Sequence, residues 1–189
     1  MIPDGDDDVV PQTSTVEEAL DLAALAHAGQ RDKSGALYID HLRRVSAGAM
    51  RFAKELGDPV VVQLSGIVGA LHDIIEDTPN DRSALSQRGV PQRAIDAIEL
   101  LTHARGEHRG TYVARLANDP LACAVKLADN ADNADPERLA RLGSQLRERL
   151  REKYALDRQI LEPAWRDHCA RARRTDPDGE AAVQGRATR

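Results

Sequence analysis

Aromatic side chains are scarce: one Trp, three Tyr and one Phe in 189 residues. Stacking platforms of the kind that hold single-stranded nucleic acid are therefore not expected. The core must instead be assembled from Leu, Ile, Val and Ala, which suits close helix packing. Positive charge is not in excess either, since 26 Lys and Arg stand against 31 Asp and Glu, a net charge of -5. That excludes a basic track for a nucleic-acid polymer and leaves local phosphate binding open. Two cysteines occur, Cys123 and Cys169, far apart and without metal-pair spacing. Two free thiols in a reducing cytoplasm are the expectation. No unbroken apolar run reaches about 18 residues, so no membrane span is expected. Residues 1–8 are acidic and lack a basic start followed by an apolar stretch, so no secretory leader is expected.

What is present is a helical pattern. Residues 1–13, acidic with Pro3 and Pro11, read as a disordered lead-in. Thr15 and Glu18 fit a capping box, and Val16, Leu20, Ala23 and His27 share one face up to Gly29. A polar loop over 30–35 leads to a second helix beginning near Asp40, with Leu42, Val45, Ala49, Phe52 and Leu56 at helical spacing. Asp58 and Pro59 start a third helix, apolar on nearly every side from Val60 to Ile75, as expected in the middle of a domain. Shorter helices follow around 83–88, 91–101, 111–117 and 120–129. A long amphipathic helix runs from Pro136, kinked or ended at Pro163. Its leucines suit either a homodimer interface or ordinary core packing. No strand pattern or repeat is apparent. The expected fold is all-α, a helical bundle spanning 14–172, with 173–189 as a disordered tail.

Chemistry concentrates where the third helix meets His72, Asp73, Glu76 and Asp77. Adjacent helical residues are about 100° apart, so His72 and Asp73 can reach one point only in the wedge between them. His72 with Glu76, and Asp73 with Asp77, are four apart and share a face. Carboxylates buried without a partner are costly, so this group calls for a cation or a wet cleft, unless it is simply a solvated helix end. His41 and Asp129 complete a set of two imidazoles and two carboxylates. That set suits manganese, iron, zinc or cobalt, and donor type alone does not choose among them.

The order of motifs resembles the HD hydrolase domain of the Rel/Spo stringent-response enzymes and their small stand-alone relatives. The likeness runs from Ala26-His27-Ala28-Gly29-Gln30 through Lys33-Ser34-Gly35 and Tyr38-Ile39-Asp40-His41. It continues through His72-Asp73-Ile74-Ile75-Glu76-Asp77-Thr78, Leu101-Thr102 and Tyr112-Val113 to Val125-Lys126-Leu127-Ala128-Asp129, with Asn133 beyond. By this resemblance His41, His72, Asp73 and Asp129 are the metal ligands, normally for manganese, and Glu76 and Asp77 the catalytic acidic pair. Asn133 lies near the substrate, and Lys33 and Ser34 belong to the loop that meets the nucleotide. The implied activity is guanosine 3′,5′-bis(diphosphate) 3′-pyrophosphohydrolase. Substrate phosphates would be met by Lys33 and Arg31; Lys126 reads as a snorkelling surface lysine.

This chain also departs from the family pattern. The family's loop arginine, which packs on the guanine, is replaced by Asp32, with Arg31 one place earlier. Ala36-Leu37 replaces Glu-Pro, Leu42 replaces a Pro, and Asn130 stands where a Lys or Arg follows the last metal Asp. The metal set is kept while the base-recognition edge is altered. Three functions therefore stand side by side: an alarmone hydrolase, a phosphatase for another nucleotide such as NADPH or a nucleoside monophosphate, and a metal-bound module that senses a nucleotide without turnover.

Overall fold

The computed structural model describes residues 13–175, so the expected disordered segments lie almost wholly outside the described residues. The fold is all-α, as expected. Helix α1 (Val16–Ala26) opens with the capping box, Thr15 accepting from the Glu18 amide at 3.2 Å while Glu18 accepts from Thr15. Then come α2 (Tyr38–Ala53), α3 (Pro59–Leu71), α4 (Ile74–Asp77), α5 (Arg82–Gln87), α6 (Gln92–Leu101), α7 (Arg109–Leu116), α8 (Pro120–Asn133), α9 (Pro136–Ala140) and α10 (Ser144–Thr175). Among the described residues the only β pairing is an isolated bridge between Arg31 and Leu37, which pins the loop before α2. That bridge lets α2 start two residues before the expected Asp40, with Leu37 at the cap.

Helix α3 lies at the centre, against α1, α2, α6 and α8. Its C-terminal half, from Ser65 to Leu71, is buried on every side. Its first turn is not: Val60 is 64% exposed, because the end capped by Asp58 reaches the surface. The stretch Pro59–Asp77 is long and apolar enough to cross a membrane, yet half of its most apolar part is buried inside this bundle. Close backbone approach sets the geometry of the site. A Cβ on Gly69 would lie 2.7 Å from the Ser46 Cα, and one on Gly48 would lie 3.0 Å from the Ala128 Cβ. Helix α2 thus sits tightly against both α3 and α8, and their polar residues converge.

The long C-terminal helix differs from expectation. Residues 141–143 separate α9 from α10. Helix α10 then continues through Pro163, a position that forfeits one backbone hydrogen bond. Leu161 and Trp165, buried on either side of the proline, hold the helix to the core. Leu150, Tyr154 and Cys169 are also buried within the chain, whereas Leu156 on the same helix is 61% exposed.

Candidate metal centre

Helix α3 does not run on through the acidic cluster. His72 caps it, and Asp73, at φ -102° and ψ 3°, turns the chain before α4 begins. The His72 Nδ1–H donates to the Gly69 carbonyl at 2.9 Å, taking up one acceptor of the final turn. No Gly or Pro marks this break in the sequence. The break brings the two side chains together, with Asp73 Oδ2 2.9 Å from His72 Nε2. Tyr38 donates its hydroxyl to the same Asp73 oxygen.

His41 arrives from the first turn of α2. Its Nδ1 is held by Asp132 at 2.7 Å, and its Nε2 lies 3.5 Å from Asp129 Oδ1. His72 Nε2 lies 3.9 Å from that same oxygen. His41, His72 and Asp73 offer donor atoms within 4.8 Å of one another. Both histidines commit Nδ1 to a neighbour and turn Nε2 inward, the arrangement that fixes a metal-binding imidazole. His72 Nε2 is buried and off-line for a hydrogen bond with any neighbour. Two donors about 2.1 Å from one ion are separated by roughly 3–3.5 Å, so these residues fit a divalent metal.

The electrostatics agree. Burial opposes a charge on His72, but Asp73 and then Asp129 outweigh it and hold the imidazole at about 9. Burial raises the carboxyls of Asp73 and Asp129. The cations beside them, His72 for Asp73 and Lys126 for Asp129, pull both below the usual range. The group draws positive charge.

Above the cluster opens a cavity of about 390 Å³. Glu76 and Asp77 line it, as do Arg31, Lys33, Ser34 and Asn133. Glu76 accepts from the His103 amide at 3.1 Å, which docks the loop after α6. Burial, then Asp73 and Glu76, raise the Asp77 carboxyl. Asn133 donates to Asp129 Oδ1 at 2.5 Å, and Arg31 donates to the Gly35 carbonyl at 2.8 Å. Ser34 donates through its amide and hydroxyl to Asp32 Oδ1, at 2.8 and 2.7 Å.

Several participants are not evident in the sequence. Asp132 holds His41, receives Arg44 Nε at 2.5 Å and lies 3.2 Å from Arg138. Its spacing of three from Asp129, on the same helical face, is a signal that could have found it. Arg138 also lies 2.9 Å from Asp32 Oδ2, so the residue that replaces the loop arginine is engaged by a guanidinium from α9. Lys126 corrects an expectation. Its side chain is 13% exposed and turns inward rather than snorkelling, with Nζ 2.8 Å from Asp129 Oδ2 and 5.5 Å from the Tyr112 ring centre. Tyr112 is a core residue that donates to the Leu101 carbonyl at 2.5 Å. His27 is buried and paired with Gln30 at 2.8 Å, His103 packs edge-on to Tyr112, and His108 caps α7.

Residues 38–134 match the HD domain family. A probable GTP pyrophosphokinase of Mycobacterium leprae is 30% identical over 130 residues, 64% of this chain. A GTP pyrophosphokinase of Streptomyces coelicolor is 32% identical over 136 residues, 65% of this chain. The chain spans only 15% of the length of either relative. Among solved structures, a metazoan orthologue of SpoT described as hydrolysing ppGpp superposes with a TM-score of 0.57 at 19% identity. That superposition covers 87% of this chain and 96% of the other, and it shows a shared fold.

Proposed function

Because this chain belongs to the HD domain family of metal-dependent phosphohydrolases, we propose that it is a guanosine 3′,5′-bis(diphosphate) 3′-pyrophosphohydrolase, releasing pyrophosphate from the alarmone and leaving GDP or GTP. The observation that carries the reading is the convergence of His41, His72, Asp73 and Asp129 beneath a cavity lined with cations. These four residues hold the metal, manganese by preference. A divalent ion at such a site supplies Lewis acidity toward water and toward a phosphoryl oxygen. Asp77, whose carboxyl is raised by burial and by Asp73 and Glu76, holds and passes the proton. Glu76 orients the water from beside the His103 amide. Lys33, Arg31, Ser34 and Asn133 line the path of the nucleotide. Free, buried Cys123 and Cys169 support a reducing, cytoplasmic setting.

A second reading is favoured by one specific observation. Asp32 accepts from Ser34 and Ala36 and meets Arg138, so its carboxylate is taken up within the protein. The base edge therefore differs from that of guanine-binding relatives, and another nucleotide, NADPH or a nucleoside monophosphate, competes as substrate. Turnover of guanosine tetraphosphate, NADPH and deoxynucleoside monophosphates with manganese separates the two, with Asp73→Ala as the blank. Pyrophosphate from the tetraphosphate supports the first reading; phosphate from another nucleotide alone supports the second. Binding without any turnover, unchanged by Glu76→Ala, would leave a sensing module.

A further inference from the structure

The loop over 31–37 is anchored by a carboxylate that binds no metal. Asp32 Oδ1 accepts from the Ser34 amide at 2.8 Å, the Ser34 hydroxyl at 2.7 Å and the Ala36 amide at 3.1 Å, which folds the loop around one oxygen. The other oxygen, Oδ2, turns inward and lies 2.9 Å from a terminal nitrogen of Arg138. Among the described residues no other cation stands within ion-pair distance of Asp32. Its side chain is only 6% exposed, and a buried carboxylate left without such a partner is strongly destabilising. Arg138 is itself firmly placed. Asp135 caps α9 and accepts from the Arg138 amide at 3.0 Å, and the adjoining Leu139 is buried.

The second terminal nitrogen of Arg138 lies 3.2 Å from Asp132 Oδ2, the oxygen that holds His41 Nδ1 at 2.7 Å. One guanidinium thus joins the loop to the carboxylate that orients a metal ligand. Asp32, Arg138, Asp132 and His41 form an unbroken line from the loop to the imidazole. Arg44 spans both oxygens of Asp132, Nε to Oδ1 at 2.5 Å and a terminal nitrogen to Oδ2 at 3.3 Å. His41 therefore shares Oδ2 with two guanidinium groups. Drawing Arg138 toward Asp32 leaves more of that oxygen to His41. The planar fork of arginine makes the bridge possible, because a single ammonium is a point charge that serves one carboxylate at a time.

We propose that Arg138 is a positioning residue for the metal centre and Asp32 its matched partner, so that the loop over 31–37 and the His41 imidazole are held as one unit. The pairing presupposes a metal at His41, His72, Asp73 and Asp129 and adds two residues to its support. It also gives the exchange at position 32 a physical reason. A loop cation there would face Arg138 in a buried setting, whereas Asp32 satisfies it. Asp32 acts on the metal through Arg138 and Asp132, and not on a substrate.

The test is manganese binding to the metal-free full chain, read by calorimetry, with no turnover required. Asp32→Asn keeps an oxygen for Ser34 and Ala36 and removes the charge that faces Arg138. Loss of a direct orienting partner weakens metal binding about 10–100-fold, and Asp32→Asn, two residues further from the metal ligand, weakens it about three-fold. In an Arg138→Met chain the same Asp32→Asn change has no further effect, because two residues that act through one bridge are not additive. Arg138→Lys, which cannot span both carboxylates, gives that result as well and decides the matter should the methionine variant unfold. Unchanged helical circular dichroism identifies the folded variants. Wild-type manganese affinity in Asp32→Asn overturns the pairing while the metal centre stands. So does a three-fold loss that persists undiminished beside Arg138→Met or Arg138→Lys. A wild-type chain that binds manganese no better than Asp73→Ala overturns the metal centre, and the pairing with it.

Discussion

His41 Nδ1 lies 2.7 Å from Asp132 Oδ2, and that carboxylate is held in turn by Arg44 and Arg138. The imidazole is therefore locked with its Nε2 toward Asp129. Loss of such an orienting partner typically costs about 10–100-fold in metal affinity. Asp132→Ala is expected to weaken manganese binding by that factor, read by calorimetry, with the helical circular dichroism unchanged. Unaltered manganese affinity would remove Asp132 from the account.

Metal binding is also expected to be visible as stability. A ligand that binds only the folded state at about 100 times its Kd adds roughly 2.7 kcal/mol. Manganese should raise the melting temperature of the wild-type chain, and EDTA should return it. Asp129→Ala should melt at the same temperature with and without the ion.

The tight α2–α3 crossing makes a separate claim about packing. Gly69→Ala places its Cβ 2.7 Å from the Ser46 Cα, where backbone must yield. Overpacking of this kind costs about 1–3 kcal/mol. Gly143→Ala, with open space around it, serves as the control. Chemical denaturation should destabilise the first variant and not the second.

Lys153, which lines the cavity together with Arg109, Lys126 and Lys33, has a pH signature whose sign is fixed. The folded-state value of Lys153, about 8, lies below the ordinary lysine value of 10.5, so folding favours its neutral form. Its contribution to stability is full above 10.5 and is lost as pH falls through the window from 10.5 to about 8. Anion binding runs the other way, because only the charged ammonium attracts phosphate. Arg109, Lys126 and Lys33 face it and depress it, Asp129 supports its charge, and Tyr154 lies beneath it, 5.3 Å from Nζ to the ring centre. Pyrophosphate affinity should therefore weaken as pH rises through about 8, relative to Lys153→Arg. The titration of pyrophosphate itself is common to both proteins, so equal profiles would contradict the expectation.

The sequence made the helices and much of the donor set legible, because both rest on local signals. Thr15 with Glu18, Asp58 with Pro59, and the apolar spacing of Val45 and Ala49 are read over a few residues. Histidines and carboxylates are recognisable one by one. What local patterns do not carry is pairing across the fold. The turn at Asp73 has no Gly or Pro to announce it. Lys126 looks like a surface residue until Asp129 is found beside it in the interior. Pro163 looks like a stop until Leu161 and Trp165 are seen buried around it. Asp32 reads as a lost cation, whereas in three dimensions Arg138 has come to meet it.

The central claim is that the four residues His41, His72, Asp73 and Asp129 drive hydrolysis of a phosphorylated nucleotide. The most direct test is pyrophosphate release from guanosine tetraphosphate as manganese is titrated, in the wild-type chain and in Asp129→Ala. The account predicts release that saturates with manganese, is abolished by EDTA and is absent in the variant. Release that proceeds in EDTA, or at the wild-type rate in Asp129→Ala, would contradict it.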